Sequence, residues 1–397
     1  MQTLLVLAAG PLQIPAIETA RRMGLRVVAA DGDPAAPGLA LADVAHTLDI
    51  RSPEGCLELA RQEQVDGVIQ ICSEVSLFAL GRINDTLGLR GLSEAAARRA
   101  LNKDVMRQVL NDAGVRVPAF ITARGLSEDE VAVAAAKVGY PLVVKPTRCS
   151  GSRGVTKVEA PGAGLLSAYR QAVSESADGV AMLEQFVDGN EFSIEVLTLG
   201  QEPRVLAVTD KITTGPPHFV EMGHTQPSRE APEALAALEL EVCRAARALG
   251  IRDSAVHAEA RLGPDGPVIM EVGPRMGGDY ITTELTPRST GVDMVEATIR
   301  LALGQTPDLT PRPQPRGVAI RYLRATPGRV SRIAGAAEAA AMPGVKIVDV
   351  YPQPGQEIGE VVNSLTRHGH VIAEGAGAAE AAANAEAARD AISISIF

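Results

Sequence analysis

The chain has 397 residues, enough for two to four domains and a substantial core. Hydrophobic residues make up 46% and charged residues 22%, the balance of a soluble globular protein. A formal net charge of −10, with aromatics at 3% and no Trp, argues against a broad nucleic-acid or anionic-membrane surface and against base-stacking platforms. Cys56, Cys72, Cys149 and Cys243 are scattered without a CxxC pair. That pattern fits a reducing, cytoplasmic setting and argues against a structural zinc site. No apolar run is long enough to span a bilayer, so no membrane partner is expected.

In chain order, Thr3 to Ala9 is a continuous apolar run. It lacks a basic leader and is soon followed by a helical pattern, so it reads as a buried strand and not as a signal peptide. Gly10-Pro11 turns the chain, Ile14 to Met23 reads as a helix, and Leu25 to Ala30 as a second strand. Ala42 to Leu48, a helix near Pro53 to Gln62, and Val68 to Cys72 repeat the alternation. Strands alternating with helices imply a doubly wound parallel sheet over 1–92. Gly10 and Asp31 mimic a dinucleotide fingerprint, but only one of its three glycines is present.

Residues 93–113 read as helical, with Ser93 as N-cap and Glu94 in the first turn. A small α/β unit follows: a strand Pro141 to Lys145, a glycine-rich loop, a helix near Leu165 to Ser174 and a strand Val180 to Glu184. In the loop, Ser150, Gly151, Ser152 and Gly154 permit close backbone approach to phosphate, and Lys145 adds positive charge. No Gly-Lys-Ser/Thr follows, so this is not a Walker A loop. Next comes Glu184-Gln185-Phe186-Val187, an extended segment able to hydrogen-bond an adenine edge. Glu191 shortly after it could accept from ribose hydroxyls. Taken singly, these pieces also fit an ordinary turn, an edge strand and a surface acid.

Strands are expected at Glu191 to Leu199 and Arg204 to Asp210. Ile212 to Glu230 reads as a long loop holding His224; such loops are uncommon and often functional. A helix from Pro232 to Leu249 leads to Ala255 to Leu262 and Val268 to Val272, two strands joined by Gly263-Pro264-Asp265-Gly266-Pro267. A five-residue loop would place Glu259 and Glu271 opposite each other on one face. A four-residue loop would turn them to opposite faces. Facing carboxylates repel unless something offsets them, and a Mg²⁺ ion does so with one or two protein carboxylates plus phosphates and water. Arg275 and the glycine-flanked Gly277-Gly278 turn follow. The proline-rich segment 304–316 is the best boundary. Beyond it, 317–372 alternates short strands with turns, and 376–392 reads as a terminal helix.

The order Lys103, Lys145, glycine loop, Glu184-Gln185-Phe186-Val187, Glu191, Glu259, Glu271, Arg275 resembles the ATP-grasp superfamily over about residues 1–305. The resemblance implies an α/β and α+β chain in three parts. These are the N-terminal doubly wound domain (1–92), a two-subdomain ATP-grasp unit (93–305, with a lid at about 115–187 and a large subdomain at about 188–305) and a C-terminal α+β domain (306–397). It further implies ATP and Mg²⁺, with Mn²⁺ as a possible substitute. Lys103, Lys145 and residues 150–154 would contact phosphates; Glu184, Gln185, Phe186 and Val187 would hold adenine; Glu191 would hold ribose. Glu259 and Glu271 would ligate the metal, and Arg275 would steady the transferred phosphoryl group. Gly273 departs from the Glu-x-Asn that the family often has at the second metal position.

Arg275-Met276-Gly277-Gly278-Asp279 is similar to the L-amino-acid ligases of the bacilysin-synthetase type. So are the segment Thr209 to Ser228 and the run Val362-Asn363-Ser364 to Gly375. That resemblance implies an ADP-forming carboxylate–amine ligase with small-molecule, amino-acid-like substrates, usually a homodimer. Gly277 and Gly278 backbone N–H groups would support an oxyanion and His224 would orient a substrate. His257 is expected to pack in the hairpin or to support a carboxylate. Rival readings are a purine-pathway or carboxylase ATP-grasp enzyme, a non-catalytic ATP-binding protein and a nicotinamide oxidoreductase.

Overall fold

A computed structural model describes residues 1–149, 153–216 and 218–397. Residues 150–152, which include the predicted phosphate-loop positions Ser150, Gly151 and Ser152, lie outside the described residues, as does residue 217.

Three of the sheets shape the molecule. The N-terminal one is parallel, in the order Val44–Thr47, Arg26–Asp31, Thr3–Leu7, Gly67–Ile69. Its strands Thr3–Leu7, Arg26–Asp31 and Gly67–Ile69 are largely apolar because helices cover the sheet, while the edge strand Val44–Thr47 is partly exposed. Leu5, Leu7 and Val28 join one core cluster while Leu4, Val6 and Val27 join another. Asp31 does not face a ribose: its Oδ2 accepts from Ala9 N at 2.7 Å and Oδ1 from Asp33 N at 2.9 Å. The carboxylate therefore closes its own loop.

A second, antiparallel sheet of four strands runs Phe120–Ala123, Ala181–Gln185, Leu142–Pro146, Thr156–Val158. Helices Glu128–Val138 and Ala163–Glu175 pack on it around Val131, Leu142, Val144 and Leu183. Ser127 and Glu130 form a capping box that fixes where the first of these helices begins.

The third sheet has eight antiparallel strands in the order Gly266–Gly273, Ala255–Gly263, Asn190–Leu199, Glu202–Thr213, Glu221–Gln226, Gly317–Tyr322, Gly369–Gly375, Val345–Val350. The last three come from beyond the proline-rich segment, so one hydrogen-bonded sheet crosses it. Period-two alternation gives this sheet two chemical faces. Phe192, Ile194, Val196, Val256, Ala258 and Ala260 point to a core shared with Leu238, Val242 and Ala245 of helix Pro232–Ala248. Glu191, Glu195, His257, Glu259 and Arg261 occupy the alternate positions.

Three expectations require correction. Residues 93–113 are two helices, Glu94–Leu101 and Lys103–Asp112, broken at the extended Asn102. The stretch 212–230 is not one loop: it contains strand Glu221–Gln226, which carries His224. The hairpin turn spans two residues, Pro264 and Asp265, because Gly263 pairs with Gly266. That tight register would set Glu259 against Met270. A bulge between Glu259 and Ala260 takes up one residue of the partner strand, and Glu259 pairs with Glu271 after all.

Candidate active site

A cleft lies between the four-stranded sheet, the polar face of the eight-stranded sheet and a loop that follows the parallel sheet's last strand. Ten predicted residues line it: Lys103, Lys145, Glu184, Gln185, Phe186, Val187, Glu191, Glu259, Glu271 and Arg275. Gly154, Gly277, Gly278 and His224 do not line it.

The floor is the hairpin. Glu259 and Glu271 face each other across it, and each meets a lysine. Lys103 Nζ lies 2.9 Å from Glu271 and Lys211 Nζ 3.0 Å from Glu259. Lys103 reaches the cleft because the break at Asn102 makes it the first residue of its helix. Burial opposes the charge on Glu259, yet Lys211 and His257 hold its carboxyl well below the usual carboxylate range. Glu271 is likewise lowered, with Lys103 overcoming burial. Both groups are therefore anionic at neutral pH, as a hard cation requires. Among the described residues no group of three or more His, Cys, Asp or Glu side chains is arranged to hold a metal ion. Two opposed carboxylates in one cleft fit Mg²⁺ that takes its remaining ligands from phosphate and water.

The wall toward the small sheet is a buried ion triad that sequence reading left incomplete. Glu184 is 1% exposed and meets Arg107 and Lys145, each at 2.5 Å. Its carboxylate is thus committed to cations. Arg107 also donates to the Met270 carbonyl. Burial, with the nearby charges of Arg107 and Lys103, lowers the Lys145 pKa despite its partner Glu184. Arg107 was legible in principle, since it falls four residues after Lys103 on one helix face. Phe186 receives Lys157 over its ring at 4.0 Å. Glu191 is held by Lys211 at 2.9 Å and Arg261 at 2.7 Å. Gly154 has φ +68°, and a side chain there would crowd Pro146 and Glu175 at 3.0 Å.

Arg275 is pinned by a residue from the loop that follows the N-terminal sheet's strand Gly67–Ile69. Its Nη2 lies 3.1 Å from Glu74 Oε1, and its buried Nε has no partner among the described residues. Glu74 also accounts for Gly273. A Cβ at Gly273 would lie 3.1 Å from Glu74 Oε1 and 3.4 Å from Arg275 Nε, so a larger residue would disturb that pair.

Gly277 does not present a free N–H for an oxyanion: it donates to Glu195 Oε2 at 3.2 Å. A Cβ at Gly277 would meet Glu195 at 2.5 Å and His257 at 2.7 Å, so the close approach demands glycine. At Gly278 a Cβ would meet nothing within 4 Å. Glu195, fully buried, pairs with His257 Nδ1 at 2.5 Å, and His257 Nε2 lies 3.6 Å from Glu259. Burial disfavours the imidazolium, but Glu195 and Glu259 outweigh it and push His257 up to about 9. Glu195 had a readable signal, a single acid inside the apolar strand Ser193 to Leu197.

His224 is buried on its strand, 3.3 Å from Asp279, which also takes a bidentate pair from Arg367 at 2.6 and 2.7 Å. The Arg367 guanidinium lies 3.5 Å from the Tyr322 ring centroid. The C-terminal part of the chain thereby holds the end of the Arg275–Asp279 turn.

Comparison with known proteins agrees with this architecture. Residues 138–284 match an ATP-grasp domain and residues 321–396 match L-amino acid ligase C-terminal domain 2. An uncharacterized protein of Sinorhizobium fredii, y4rH, is 30% identical over 367 residues, covering 90% of this chain and 75% of that one. Carnosine synthase 1 of Gallus gallus is 30% identical over 341 residues, covering 79% of this chain but only 36% of its own length. The L-amino acid ligase of Bacillus licheniformis superposes with a TM-score of 0.85 over 100% of this chain and 99% of that one, at 24% identity. The chain is an ATP-grasp protein. Within that family it is related to the L-amino acid ligases, whose C-terminal domain it carries.

Two outcomes follow from the buried charges. Glu184→Ala leaves Arg107 and Lys145 buried without their carboxylate and should cost roughly 3–5 kcal/mol in urea unfolding; a loss below about 1 kcal/mol would contradict the triad. His257 has a folded pKa of about 9, above its unfolded value, so its stabilisation is complete below about pH 6.5 and disappears as pH rises through 9. Relative to His257→Gln, the parent protein should lose roughly 3 kcal/mol between pH 6.5 and 9. Parallel pH profiles for the two proteins would contradict the pairing.

Proposed function

We propose that the protein joins a carboxylate to an amine, both amino acids or amino-acid-like, with ADP and phosphate as co-products. The observation that carries the reading is the opposed pair Glu259 and Glu271, facing Lys103, Lys145 and Arg275 within one cleft. Three fixed cations around a paired-carboxylate floor suit phosphoryl transfer, where catalysis is chiefly positioning and charge compensation. The match of residues 321–396 to the L-amino acid ligase C-terminal domain favours an amino acid over a purine precursor or bicarbonate.

In this scheme a substrate carboxylate oxygen attacks the γ-phosphorus of ATP, the bond to the β-phosphate oxygen breaks, and an acyl phosphate and ADP result. The amine then attacks the acyl carbon, loses a proton, and expels phosphate. Mg²⁺ on Glu259 and Glu271 would supply charge neutralisation at the phosphoryl oxygens. Lys103 and Lys145 hold the phosphate chain. Arg275, with an unpartnered Nε and an Nη2 oriented by Glu74, directs its guanidinium toward the transferred group. Glu191, set between Lys211 and Arg261, accepts from ribose, and the strand ending at Gln185 offers backbone groups to adenine.

Phosphate release from Mg²⁺-ATP across an array of paired amino acids, with mass spectrometry of active wells, tests the reading. A new amide mass tied to release is expected. Glu271→Ala should lower ADP formation by at least about a thousandfold while the protein remains folded. Near-normal turnover in that variant would end the assignment.

A further inference from the structure

Lys211 belongs to none of the roles above, yet its ammonium group meets three carboxylates that line the cleft. Its side chain is 2% exposed. Its Nζ lies 2.9 Å from Glu191, 3.0 Å from Glu259 and 3.7 Å from Glu221. Glu191, on the strand between Lys211 and the hairpin, and Glu221, on the strand beyond, hold it from both sides, so it is not free to swing out of the site. Lys103 stands in the same way against Glu271, at 2.9 Å. Each carboxylate of the candidate metal pair therefore already has an ammonium partner.

We propose that Lys211 makes metal binding depend on nucleotide. A divalent ion arriving alone at Glu259 must approach a fixed positive charge a few ångströms away, and among the described residues no group of three or more His, Cys, Asp or Glu side chains is arranged to hold it. An ion arriving with a triphosphate brings its own excess negative charge and its own oxygen ligands. Lys211 then ceases to be a competitor and bridges Glu191, on the ribose side, to Glu259, on the metal side. The cleft refuses the bare ion and accepts the complex. Lys211 is thus a positioning residue acting through Glu259, and the inference rests on the reading that Glu259 and Glu271 hold the metal.

The test is titration of the protein with Mn²⁺ alone, without nucleotide, followed by the electron paramagnetic resonance signal of the free ion. Lys211→Gln keeps a polar group between Glu191 and Glu259 but removes the charge. It should bind Mn²⁺ at least about tenfold more tightly than the parent chain. Lys211→Arg, which keeps the charge, should stay within about threefold of the parent. A role confined to folding would lower thermal stability without tightening Mn²⁺ binding. Unchanged or weaker Mn²⁺ binding in Lys211→Gln would overturn the proposal and leave the metal site standing. Adding Glu271→Gln to that variant should abolish the gain; if the gain survives, the ion is not on this pair, and the site reading fails together with the proposal. Lys211→Met carries the same expectation if the glutamine variant does not fold.

Discussion

Carboxylates crowded into a cleft repel one another, and the repulsion grows as water is excluded. The organisation of this protein follows from compensating that repulsion. Glu74, Glu184, Glu191, Glu195, Glu221, Glu259 and Glu271 converge on one region, and each lies within 4 Å of a cationic side chain. The partners come from every layer. Lys103 and Arg107 ride on one short helix, Lys145 on the small antiparallel sheet, Lys211 and His257 on the large one, and Arg275 on the turn beyond the hairpin. No single sheet holds a balanced set. Assembling the three parts is what neutralises the cleft, so charge compensation ties the tertiary structure to the site.

The same compensation suits the cleft to an anionic ligand. Cations paired with carboxylates are already desolvated and oriented, so they need little reorganisation when phosphate oxygens approach. Lys103 and Lys211 stand against the candidate metal carboxylates, and Arg275 is steadied by Glu74 from the loop after the parallel sheet. The turn that follows is fixed at both ends, by Glu195 on Gly277 and by Arg367 on Asp279. The C-terminal strands that continue the large sheet therefore do more than extend it: they bring Arg367 to the site.

Much of this was legible in the residues. The helix Pro53–Gln62 falls where its Ser52 cap and apolar spacing place it. The opposed Glu259 and Glu271 were readable too, though by two errors that cancel: the turn is shorter than its Gly/Pro content suggests, and a bulge restores the pairing. Strand Glu221–Gln226 escaped because it is nearly without apolar side chains and is flanked by prolines, so period-two reading finds nothing to follow. Lys211 and Arg107 escaped for another reason. A charged residue looks solvated until its partner is known, and their partners arrive from distant strands. Glu74 is the extreme case, 201 residues from Arg275 and in a loop without periodicity.

The central claim is that the cleft activates a carboxylate by phosphorylating it, and oxygen transfer tests that directly. With an amino-acid substrate carrying ¹⁸O in both carboxylate oxygens, the phosphate released during amide formation should contain one ¹⁸O, seen as a shifted ³¹P resonance. Unlabelled phosphate formed alongside labelled amide would show that the carboxylate never attacked the γ-phosphate, and the acyl-phosphate route would be wrong.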